Sequence, residues 1–327
     1  MNFNLTKNLE KLLCLWEKSL TSYGTPGNFG DNTTICLIEN KENPSDLPIT
    51  LMVNSGYAKR RELMKKQYES LLLRGENSQK RWRNDGSACF LCDNVGQAQD
   101  IGDNLVLPFD TYKEFLVVPN RYPLIRGHFL LVAKQHDDGK KKFSNETSLE
   151  YLKTIVDICN KYDLHAIRNH PYAGMSIKEH EHCHLLPKEL ISNSGEMALI
   201  YVPPKSKIIQ HEGHVYRLEG TRFDTITFRK RDVENFWKLL CRLDNYGVIF
   251  SFVYGSHPDV KENLFFITPH KKIDLNDAVA GESAFYVKTN SEMGSFCYNE
   301  YIKMLEEYIY SKGTFQWDKY LIDSKSI

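Results

Sequence analysis

The sequence predicts an α+β fold in two diverged halves behind an N-terminal layer. Two observations carry this. Stretches with strand-like alternation are interleaved with stretches of helical period, and the mixture recurs in two blocks of similar size, residues 85–190 and 191–327. Residues 1–84 precede them as a mainly helical layer with one strand at 33–38. The 327 residues are 41% hydrophobic and 26% charged, enough apolar material for a sizeable core.

The elements follow in order. The first twenty residues, MNFNLTKNLEKLLCLWEKSL, read as an amphipathic helix interrupted by Lys and Glu rather than as a signal peptide. A basic run at 59–83 (Lys59, Arg60, Arg61, Lys65, Lys66, Lys80, Arg81, Arg83) reads as a solvated helix face, with a phosphate-facing role for one of them as the lesser alternative. Strands are expected at 114–119 and 127–134, joined by the turn-rich Asn120-Arg121-Tyr122-Pro123. Leu149, Leu152, Ile155, Val156 and Cys159 recur at helical spacing and predict a helix at 147–161. A strand at 163–169 comes next, then a loop with Pro171 and Gly174, then a strand carrying His180, His182 and His184. In the second block Asp232 is placed to cap a helix that Gly247 ends, and strands at 248–254 and 263–268 and a helix at 298–311 follow.

Charge and cysteine content exclude some classes. The 42 Lys+Arg balance the 42 Asp+Glu, which removes the electrostatic reason to expect a nucleic-acid or membrane-surface protein. No apolar run reaches the roughly 18–20 residues of a spanning helix. The eight cysteines are thinly spread, so a reducing cytoplasm is the expected compartment.

The chemistry-bearing pattern is His180-Glu181-His182-Cys183-His184. Spacing of two along a strand sets three imidazoles on one face, and each ring has two polar nitrogens that need partners when buried. Glu181 then points to the opposite face, where it needs a cationic or hydrogen-bonding partner. Cys89 and Cys92 form a CxxC knuckle able to present two thiolates to one zinc, with His136 and His180 to complete a tetrahedral set. A redox pair is the alternative; Phe90 and Leu91 and the lack of a thioredoxin-like pattern argue against it. His211 and His214 are read as a solvated loop, and Arg121 and Arg126 as either nucleotide-facing or surface residues.

Cys89-Phe-Leu-Cys92, Asn120 to His128, Lys134-Gln-His136 and Gly174-Met-Ser176-Ile-Lys-Glu-His180-Glu-His182-Cys-His184 together resemble the histidine-triad superfamily. The branch they are most similar to holds galactose-1-phosphate uridylyltransferase, diadenosine tetraphosphate phosphorylase and GDP-hexose phosphorylase. The resemblance covers about residues 85–187, with a weaker echo at 245–290. It implies an antiparallel sheet with flanking helices and a nucleotidyltransferase or phosphorylase acting at the α-phosphate of a nucleoside diphosphate sugar or dinucleoside polyphosphate. His182 matches the nucleophile that forms a nucleotidyl-histidine. His180 matches a position that is a zinc ligand in some members, so Cys89, Cys92, His136 and His180 would hold a structural zinc. Gly174 and Ser176 fall where the family contacts phosphate, Asn169 near an asparagine that holds the nucleotide, and Lys271 and Lys272 on a basic cluster of the second half. His128 falls where the family often has a structurally hydrogen-bonded histidine.

Two positions depart from that pattern. Transferases of this branch usually carry Gln where this chain has His184, and hydrolases of the superfamily carry His. A histidine there could act as a general acid, so a nucleotide hydrolase is the rival function. Glu181 stands where the family is normally apolar. A non-catalytic nucleotide-binding module is the third alternative. Expected partners are a nucleotide or nucleotide sugar and an acceptor, phosphate or sugar phosphate; monomer and homodimer are both compatible with the sequence.

Overall fold

The computed structural model describes residues 7–22, 33–38, 40–43, 49–54, 91, 114–120, 123, 125–133, 143, 146–170, 180–188, 207–210, 213–257, 260–271, 287–288 and 298–321. In chain order the helices are α1 (Lys7–Ser22), α2 (Glu146–Tyr162), α3 (Val233–Asn245) and α4 (Tyr298–Tyr308). The strands are β1 (Thr33–Ile38), β2 (Ile49–Asn54), β3 (Phe115–Pro119), β4 (Phe129–Ala133), β5 (Leu164–Arg168) and β6 (His182–Pro187). They continue with β7 (Lys207–Gln210), β8 (Tyr216–Glu219), β9 (Ile226–Arg229), β10 (Ile249–His257), β11 (Val260–His270) and β12 (Val287–Lys288). None of the described helices is long and apolar enough to cross a membrane.

Among the described residues, β1, β2 and β12 form a small sheet. The other nine strands form one sheet in the order β3-β4-β6-β5-β10-β11-β9-β8-β7, with every pair antiparallel. The sheet is continuous across the two predicted blocks because β5 pairs with β10. This is the expected antiparallel α+β architecture. The layer expected to be mainly helical holds, besides α1 and β1, a second strand, β2; the basic run at 59–83 lies outside the described residues.

One face of the sheet is the hydrophobic core. Phe129, Leu131, Cys183, Leu185, Ala166, Phe252, Tyr254, Phe265, Ile267 and Phe228 alternate onto it and are buried. Helices α2 and α3 cover this face, α2 against β5 and β10 and α3 against β9 and β10. Phe236 of α3 stacks on Phe265 at 4.4 Å between ring centroids and meets Phe252 edge-on at 5.5 Å. Period-2 alternation therefore sends the intervening residues, including His182 and His184, to the other face.

α3 ends as its sequence predicts. Gly247 takes φ +66°, and the amides of Gly247 and Val248 bond the carbonyls of Asp244 and Leu243, the paired pattern of a Schellman stop. Its start differs from the expected cap. Asp232 makes no side-chain cap bond, and its carboxylate instead meets His214 Nδ1 at 2.7 Å.

Candidate active site

The strand register builds the site. On β6, His184 lies opposite Leu130 of β4 and Ile167 of β5, and His182 lies opposite Val132. His182 and His184 therefore share the face opposite the core, with ring centroids 5.7 Å apart and nearly perpendicular. The strand begins at His182, so His180 stands just before it rather than within it, and its ring takes a separate anchor: Nε2 donates to the Ala133 carbonyl at 2.6 Å.

The His182 ring is almost fully buried, and its Nδ1 lies 2.7 Å from the His180 carbonyl. A carbonyl only accepts, so Nδ1 carries the proton and the lone pair of the neutral ring sits on Nε2. The backbone thus fixes the tautomer of the middle histidine.

The third ring has a histidine partner. His184 Nδ1 lies 2.9 Å from Nε2 of the buried His128, and the contact requires that one of the two nitrogens carry the proton. His128 is held in turn: its carbonyl accepts the Trp16 indole N–H from α1 at 3.1 Å and the Asn120 amide N–H at 2.9 Å. Gly127, at φ +72°, makes the turn that delivers this ring to β4. Sequence reading placed His128 in a structural hydrogen bond; its direct contact with His184 needed the β4–β6 register.

Glu181 points to the core face, where Arg168 of β5 meets it with two hydrogen bonds of 3.0 Å each. Both are buried, Arg168 completely. Burial acts to lower the Arg168 pKa, but the Glu181 charge and hydrogen bonds outweigh it and the net shift is upward. The need for a cationic or hydrogen-bonding partner for Glu181 was legible; that it is Arg168 was not, because only the β5–β6 pairing brings the two together.

The remaining predicted residues fall as follows. Asn169 follows β5, is buried on the His182 side by alternation, and its Oδ1 has no hydrogen-bond partner. Lys271 follows β11 and donates its ammonium to the Glu306 carbonyl of α4. Arg126 pairs with Glu17 of α1. Cys89, Cys92, Arg121, His136, Gly174, Ser176, His211 and Lys272 lie outside the described residues. Among the described residues no cluster of three or more potential metal ligands occurs.

No family model matches the sequence, and no curated protein sequence does either. Solved structures do match. The crystal structure of yeast Ap4A phosphorylase Apa2 aligns over 97% of this chain and 100% of its own, with TM-score 0.54 and 8% identity. The fold is that of yeast Apa2. Apa2 in complex with Ap4A aligns over 94% of this chain and 99% of its own (TM-score 0.52, 11% identity), and Apa2 in complex with AMP over 93% and 95% (TM-score 0.50, 9% identity). At these identities the likeness to Apa2 is one of fold, and the chemistry rests on this chain's own residues.

Proposed function

We propose that the chain is a nucleotidyl-transferring enzyme of the phosphorylase kind, acting on a dinucleoside polyphosphate or a nucleoside diphosphate sugar. The observation that carries this is the His182 tautomer: in a buried ring whose Nδ1–H is donated to the His180 carbonyl, the lone pair a nucleophilic histidine uses sits on Nε2. The Apa2 fold over nearly the whole chain supports it, since Apa2 is an Ap4A phosphorylase with solved complexes of Ap4A and AMP.

In the first step His182 Nε2 forms a bond to the α-phosphorus while the bond from that phosphorus to the bridging oxygen breaks. The leaving nucleoside polyphosphate or sugar phosphate takes a proton at that oxygen, and we assign its supply to the His184–His128 pair, whose rings are in hydrogen-bond contact. In the second step an oxygen of phosphate or a sugar phosphate attacks the same phosphorus and the P–N bond breaks. The Asn169 side chain, on the His182 face of the sheet by alternation and with a buried unpartnered oxygen, is the group we assign to holding the nucleotide. Gly174 and Ser176 are assigned to the α-phosphate oxygens, and Lys272 and Arg121 to the remaining phosphates. Cys89, Cys92, His136 and His180 would hold a zinc whose contribution is to brace the segment leading into β6.

The test is intact mass after mixing the protein with Ap4A or a nucleotide-sugar panel without phosphate. A covalent nucleotidyl adduct on His182, discharged by adding phosphate, is expected. No adduct, together with unchanged cleavage by His182→Ala, would remove the proposal. The hydrolase reading draws on the same His184–His128 contact. Cleavage at a rate indifferent to phosphate would select it.

A further inference from the structure

Between His180 and His182 stands a carboxylate on the core side of the sheet, and its surroundings are unusual for a core. Arg168 is fully buried, with its guanidinium carbon 4.5 Å from the Phe143 ring centroid and 5.9 Å from that of Phe250. Two parallel hydrogen bonds of 3.0 Å join it to Glu181. A buried ion pair of this kind is weak evidence for stability, because well-packed apolar residues in the same volume are often as stabilising or more so. Its position suggests a different use.

The ladder explains what that use is. On the β4 side, backbone pairing of β6 runs to His182, and the Ala133 amide also bonds the Glu181 carbonyl at 3.0 Å. On the β5 side, pairing stops at Ile167 opposite His184, two residues short of His182. Arg168 is the next residue of β5 and reaches diagonally to Glu181, the geometry that cross-strand neighbours two residues apart can span. The side-chain fork therefore closes the β5–β6 seam where the backbone ladder leaves it open. The segment it fixes, 180–182, holds the carbonyl that sets the His182 ring.

From this geometry we infer that Arg168 and Glu181 are positioning residues for His182: the buried pair locks the backbone of 180–182 so that the His180 carbonyl keeps the proton on His182 Nδ1. The inference rests on the reading of His182 as the nucleophile, and the experiment separates the two. Full-length wild type, Glu181→Gln, Arg168→Lys and the apolar double variant Arg168→Met/Glu181→Met are compared by imidazole nitrogen NMR without nucleotide, by thermal unfolding, and by kcat and KM for Ap4A cleavage with phosphate.

The expected result is a double variant that unfolds near the wild-type temperature, yet whose His182 signals show mixed tautomers. Its kcat falls about 100-fold, the scale of a misplacement of about 1 Å, while KM changes little. Arg168→Lys keeps the charge but not the fork and recovers part of the loss. Wild-type His182 signals and wild-type kcat in the double variant overturn the inference. So does a double variant that fails to fold, which would make the pair a stability element. Wild-type protein that cleaves no nucleotide refutes the function proposed above, while the nitrogen spectra still decide the positioning.

Discussion

Gly127→Ala perturbs the turn that carries His128 into the site, and its cost can be worked out from the geometry. Gly127 has φ +72°, and a Cβ built there would lie 2.5 Å from Leu13 Cδ2 and 2.8 Å from Pro187 Cγ. The backbone conformation alone costs a residue with a Cβ about 1–2 kcal/mol. Leu13 is packed among Leu9, Leu12 and Trp16 of α1, and the Pro187 ring has no rotamer to yield, so an overpacking cost of about 1–3 kcal/mol adds to it. The expected destabilisation is about 2–5 kcal/mol. Gly247→Ala is the control: its φ is +66° with nothing within 4 Å of the added atom, so it should cost only the backbone part, about 1–2 kcal/mol. Urea unfolding with m unchanged gives both values. In a Leu13→Ala background the Gly127→Ala cost should shrink, a coupling that a double-mutant cycle reads directly. Equal costs at Gly127 and Gly247, or no coupling to Leu13, would refute the claim that α1 and the end of β6 close on this turn.

Three further outcomes are expected. Burial, with Lys188 adding, pulls the His165 pKa down to about 3, and burial, with His170 adding, does the same to His270. The folded protein therefore stays unprotonated at these rings where the unfolded chain titrates near 6.5. Between those values the unfolded state binds more protons, so stability rises with pH and is lost as the pH is lowered, by about 2 kcal/mol per ring at pH 5. His165→Leu should flatten the fall measured by urea unfolding at pH 8 and pH 5 by that amount; an unchanged fall would show that the ring accepts a proton in place. His184→Gln keeps a hydrogen-bond donor but loses the titrating ring; phosphate-dependent cleavage should fall by about 100-fold or more, and unchanged cleavage would take His184 out of the proton supply. Elemental analysis of purified protein should find one zinc per chain that is lost in Cys89→Ser/Cys92→Ser, with a lower unfolding temperature; metal-free protein of full stability would remove the zinc site.

What the sequence made legible was local. β1, β3, α2, α3 and the Gly247 stop follow from period, turn residues and the need for a positive φ, and each lies within two residues of its expected limits. β2 was not seen, because Ile49-Thr-Leu-Met-Val-Asn54 is a short apolar run that periodicity does not separate from helix. Asp232 was misjudged as a cap because sequence cannot show that His214 competes for its carboxylate. The same limit hides Arg168 from Glu181 and His128 from His184, pairs separated by 13 and 56 positions and joined only by register.

Register also explains why chemistry and core can share one strand. Residues 182 and 184 face the site while 183 and 185 are fully buried among the aromatic rings, so a slip of one residue would bury two imidazoles in the core and expose Cys183 and Leu185. Apolar burial on the core face therefore holds the histidines in place without touching them. The exception is Glu181, the one residue of the 180–184 run that brings charge to the core face, and it stands where β5 no longer pairs with β6. A carboxylate there cannot find a partner in a slipped register, because Arg168 would then lie on the opposite face. The pair thus excludes the alternative alignment at the residues where the backbone ladder alone does not, which is the most direct link between this fold and the ring it presents.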